Sequence, residues 1–204
     1  MMKMYDVGNK EQALQYLKDL RKEIVIVALL FVLSAAIGYV VAIMHPEMVM
    51  QSLEELEGLV DLLKNLSPIE IMFLIFLNNS IKSLFVLVLG VFFGVVPLLF
   101  IAYNGYFLGI FSHKILMEQS LLYLAGGLLP HGIIEIPMVV ISAAVGIRLG
   151  LKVIAAFKGE SVSLKEEIIT GIKFFFYWIM PLLFIAAVVE TFITSAIIGV
   201  LSQL

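Results

Sequence analysis

Leu129-Pro130-His131-Gly132-Ile133-Ile134-Glu135-Ile136-Pro137 sets an ionisable pair in the middle of one of the most apolar parts of the chain. On a helix, His131 and Glu135 share one face about 6 Å apart. An acidic side chain at the centre of a membrane helix costs about 2.5–3.5 kcal/mol on insertion scales, so a residue kept there is a candidate functional residue with a partner to be found elsewhere. The spacing suits a hydrogen-bonded pair, a proton relay or two ligands of one metal.

The surrounding composition gives the class. Of 204 residues, 62% are hydrophobic and 14% charged, and the mean hydropathy is +1.09. That is about half the charge of a soluble domain. We therefore read an integral membrane protein: a single all-α domain, residues 1–204, forming a polytopic membrane helix bundle of about five spans with amphipathic surface helices. The lipid bilayer is its first partner. The net charge of -3 gives no basic footprint for nucleic acid. Without cysteine, disulfides, thiolate metal sites and a cysteine nucleophile are excluded.

Taken in order, residues 9–23 predict an interfacial helix, with Asn9 as its cap and Leu14, Leu17, Leu20 and Ile24 as its stripe. Residues 24–44 follow as a retained span, lacking a cleavage pattern. Residues 46–66 combine Glu54, Glu55, Glu57 and Asp61 with an apolar stripe through Val49, Leu53, Leu56, Val60 and Leu63. This predicts an outer amphipathic helix that lies on the protein or pairs with a second copy in a homo-oligomer, a dimer in the simplest case.

The run 69–102 is long enough for a tilted or kinked span. It is interrupted by Asn78-Asn79-Ser80-Ile81-Lys82-Ser83, whose polar groups need partners because hydrocarbon supplies none. Lys82 either snorkels to the surface or pairs with a buried carboxylate. Tyr103-Asn104-Gly105-Tyr106 predicts a turn, which leaves 103–118 as a short or re-entrant helix. Residues 120–149 form the span with His131 and Glu135, bracketed by Pro130 and Pro137 and expected to kink or break there. Residues 150–173 are an inner basic loop with a helix capped at Ser163, and 174–203 are the last span, with Glu190 near its midpoint. Gly90 and Gly94, Gly105 and Gly109, and Gly146 and Gly150 give three small-xxx-small faces for close helix packing.

Lys10, Lys18, Arg21 and Lys22 put the N-terminus inside, and Arg148, Lys152, Lys158 and Lys165 put the late loop inside as well. Five crossings then leave the C-terminus outside.

Four ionisable groups at mid-span depth, Lys82, His131, Glu135 and Glu190, are expected to converge, with Asn78, Asn79 and Asn104 as amide partners. Three readings stand open. The cluster is a structural polar network worth about 0.6–2 kcal/mol per hydrogen bond; or His131, Glu135 and Glu190 bind a divalent metal such as Zn; or the same residues line a proton or cation pathway. An open fourth metal position would permit hydrolysis inside the membrane. His-x-x-x-Glu lacks the second histidine of the zinc-protease motif, and the serines lack a Gly-x-Ser-x-Gly elbow, so nothing here demands an enzyme.

Asn78-Asn79, Tyr103-Asn104-Gly105 with Leu108-Gly109, Leu129-Pro130-His131-Gly132 with Glu135 and Pro137, Gly146-x-Arg148-Leu149-Gly150 and the late Glu190 together resemble the stage II sporulation protein M family over about residues 70–195. The resemblance implies a multi-span membrane protein that works with other membrane or envelope proteins, in a complex carrying peptidoglycan hydrolases in spore formers. It assigns no chemistry to His131, Glu135 or Glu190.

Overall fold

The computed structural model describes residues 6–47 and 65–203. Helix α1, Lys10–Asp19, is capped by Asn9, whose side-chain oxygen accepts from the Glu11 and Gln12 amides at 2.8 and 3.4 Å. It buries Ala13, Tyr16 and the following Leu20, while Leu14 stays 48% exposed. Leu17, Leu20 and Ile24 of the expected stripe pack inward with Tyr16, which docks into the end of the bundle, and Leu14 faces out. Helix α2, Arg21–Met44, is the first span. Most of the expected outer helix at 46–66 lies outside the described residues.

Helix α3, Pro68–Val88, starts at a capping box between Ser67 and Glu70 with proline in its first turn, where the missing amide hydrogen does no harm. A 3-10 turn, Leu89–Val91, and a reversal at Phe93 (φ 56°) and Gly94 (φ 74°) separate it from α4, Val95–Glu118. The long run expected over 69–102 is thus divided near residue 92. The turn expected at Tyr103–Tyr106 does not form, and 103–118 is the second part of a full-length span rather than a short or re-entrant helix. Gly94 takes the left-handed conformation that most side chains avoid. Gly105 serves a different purpose, since a Cβ there would strike the Phe31 carbonyl of α2.

Helix α5, Leu121–Phe157, has 37 residues and stays α-helical through Pro130 and Pro137. The helix is not interrupted there, and the departures from α geometry lie in the last helix. That helix runs as α6 (Leu164–Phe174), a π turn (Phe175–Ile179), α7 (Met180–Val188), a second π turn (Val189–Thr194) and α8 (Ser195–Leu201). The loop between α5 and α6 is shorter than the 150–173 expected, and the last apolar helix begins at Leu164. Among the described residues, five helices are long and apolar enough to cross a membrane. At 1.5 Å per residue α5 extends about 55 Å, well beyond the roughly 30 Å hydrocarbon layer.

Helix α5 is the centre of the bundle: half of its most apolar window is buried, against 17% for α2. Small residues allow this packing. A Cβ at Gly90 would strike the Gly146 backbone, and one at Gly150 would strike Gly94, so α3 and its turn lie directly on α5. A Cβ at Gly109 would strike the Ala35 carbonyl, and one at Gly38 the Tyr106 carbonyl, which joins α4 to α2. Close backbone approach of this kind is what holds helices together where lipid removes the hydrophobic drive.

At the α1 end of the bundle, Tyr16, Leu20, Leu87, Val145, Phe174 and Phe175 form a buried cluster. Arg148 is ion-paired to Glu167 at 2.7 Å, and its guanidinium carbon lies 5.5 Å from the Tyr16 ring centre. The Trp178 indole donates to the Val7 carbonyl at 2.7 Å. These contacts draw α1, α5 and the last helix together at one end.

Candidate functional site

His131 and Glu135 lie one turn apart in the first half of α5. Opposite them is the second π turn, which carries Glu190 and ends at Thr194. One ligand atom from each of His131, Glu135 and Glu190 falls within 4.8 Å of the other two, and all three residues are partly buried. The two helices are held in register by small residues on α5: a Cβ at Gly126 would press on Ile197 and Leu201, and one at Gly127 would approach Ile198.

The π turn gives Glu190 an unusual backbone. Its carbonyl accepts from the Ser195 amide five residues on, and also from the Ser195 hydroxyl at 3.3 Å. Single-turn π segments within α-helices recur at functional sites. Thr194 closes the turn with 7% exposure, and its Oγ1 lies 3.3 Å from His131 Nδ1. Thr194 was not singled out by the sequence. An uncharged hydroxyl in an apolar run carries little signal, even four residues after Glu190.

The remaining expected members are spread more widely. Lys82 is exposed on α3 and attracts Glu135 electrostatically, while Glu135 and Glu190 repel one another. Asn78 donates to the Asn79 side chain at 3.2 Å. Asn104 donates to the Phe100 carbonyl of its own helix at 2.7 Å.

One imidazole and two carboxylates from two rigid helices are a chemically sensible donor set for a divalent cation. Two carboxylates also balance its charge, which a low-dielectric interior requires. With Nδ1 facing Thr194, Nε2 is the ring nitrogen of His131 left to coordinate a cation.

A family model described as stage II sporulation protein M matches residues 27–195. The chain belongs to that family. The matched range takes in His131, Glu135, Glu190 and Thr194, and both Arg148 and Glu167; Tyr16 on α1 lies before it. Two uncharacterized proteins of Methanocaldococcus jannaschii are similar to the chain. One is 31% identical over 141 residues, 67% of this chain and 79% of the relative. The other is 28% identical over 159 residues, 75% of this chain and 71% of the relative. No solved structure matches the chain significantly. The chain is thus a multi-span membrane protein of the sporulation protein M type.

Proposed function

We propose that this protein is a membrane assembly or envelope-remodelling component built on a divalent-metal site formed by His131, Glu135 and Glu190. The observation that carries this reading is the approach of their three ligand atoms to within 4.8 Å across two helices. Zn is the best match to one imidazole and two carboxylates. The ion would tie α5 to the last helix at mid-span, so its place in the account is structural and organising.

A conducting pathway would need the polar lining to continue along the bundle. Beyond Glu135, the buried face of α5 is formed by Val140, Ala143, Ala144, Val145 and Ile147, with Ser142 among them. This largely apolar stretch supports a closed site over a continuous route for protons or cations.

A second copy of the chain and other envelope proteins are its proposed partners, with the acidic 46–66 segment as the contact to test. The α1 end carries Lys10, Lys18, Arg21 and Lys22 together with Lys152, Lys158 and Lys165, which supports placing that end inside and the C-terminus outside.

Metal analysis of the purified protein beside His131→Ala and Glu135→Gln tests the site. Stoichiometric metal in the parent and its loss in both variants is expected. A metal-free parent after purification without chelators and incubation with Zn2+ removes the proposal.

A further inference from the structure

We infer that Thr194 is the positioning residue of this site, holding His131 so that Nε2 rather than Nδ1 faces the two carboxylates. The inference rests on the metal reading above and adds the device that orients the ligand.

A threonine inside a helix ordinarily returns its hydroxyl to the carbonyl four residues earlier. For Thr194 that acceptor is Glu190, and it is already engaged twice, by the Ser195 amide and by the Ser195 hydroxyl at 3.3 Å. A carbonyl oxygen has two lone pairs, so the π turn fills the acceptor four residues back and frees Thr194 Oγ1 from that bond. Thr194 Oγ1 instead lies 3.3 Å from His131 Nδ1 on α5. Thr194 is itself 7% exposed, so water offers it little alternative.

A ring nitrogen that binds metal must present a free lone pair, and the other nitrogen then carries the proton. Thr194 Oγ1 is therefore the acceptor for Nδ1–H when Nε2 is the ligand. Partners of this kind fix tautomer and ring orientation, and removing them typically weakens metal binding by about 10- to 100-fold. The serine that follows contributes indirectly, because its two bonds to the Glu190 carbonyl are what release Thr194.

The experiment uses the full chain in detergent micelles, with Co2+ as a spectroscopic stand-in for Zn. Its visible bands report ligand geometry. The parent is expected to bind Co2+, Thr194→Val to bind it at least tenfold more weakly with altered bands, and Thr194→Ser to recover most of the affinity. Equal affinity and identical bands in parent and Thr194→Val overturn the inference. A second arm needs no variant at Thr194: 15N-histidine NMR of the metal-free parent, with His131 assigned by its loss in His131→Gln, is expected to show the proton on Nδ1. A proton on Nε2 overturns the inference. If Co2+ does not bind the parent at all, the metal reading fails, and the tautomer measurement still decides what Thr194 does.

Discussion

Arg148 Nε lies 2.7 Å from Glu167 Oε1, with the two side chains 15% and 3% exposed. This ion pair joins α5 to α6, and the guanidinium also faces the ring of Tyr16, which brings in α1. Three parts of the chain far apart in sequence thus share one charge contact. Its depth explains why it survives: buried charges persist when paired, whereas a single buried charge is expelled.

Removing one member of a buried pair typically costs about 3–5 kcal/mol, because the other is left uncompensated. Glu167→Gln and Arg148→Met should each lower thermal stability in micelles to that extent, and the double variant should lose less than the sum of the two. A thermal-unfolding double-mutant cycle measures this. Strict additivity would mean that the two residues do not interact.

The glycine contacts make a sharper comparison. Gly109→Ala puts a methyl group into the Ala35 carbonyl of α2, whereas a Cβ at Gly199 has nothing within 4 Å. Overpacking of this kind costs about 1–3 kcal/mol. Gly109→Ala should therefore unfold at lower temperature, and Gly199→Ala should match or exceed the parent, since alanine is favoured over glycine in a helix by about 1 kcal/mol. Equal stability of the two variants would contradict the close α2–α4 contact.

Sidedness is open to a direct test because the chain has no cysteine. Glu160→Cys lies in the loop between α5 and α6, and Gln119→Cys in the turn between α4 and α5, at opposite ends of α5. In intact cells an impermeant thiol reagent should label Gln119→Cys and spare Glu160→Cys until the membrane is opened. The reverse pattern would invert the proposed orientation.

Much of this architecture was legible in the residues, and the exceptions have physical causes. The helical membrane class and the five apolar helices follow from hydropathy. The division of the 69–102 run was hidden because Val91-Phe92-Phe93-Gly94-Val95 is wholly apolar, while the reversal there is made by backbone conformation at Phe93 and Gly94. Asn104-Gly105 has the local propensity of a turn. Tertiary packing on Phe31 uses the same glycine inside a helix. Glu190 announced itself as an acid in an apolar span, but the π turn that carries it depends on a hydrogen-bond shift that side-chain hydropathy does not encode. Arg148 and Glu167 were both visible as charges, and only the fold pairs them.

The central claim is that His131, Glu135 and Glu190 hold one divalent ion between α5 and the last helix. Elemental analysis of the purified full chain, after incubation with Zn2+ and removal of free ion, addresses it most directly. The account predicts stoichiometric zinc in the parent and its loss in Glu190→Gln with the fold retained. A folded parent without bound metal would contradict it, as would a Glu190→Gln variant that retains the same zinc content.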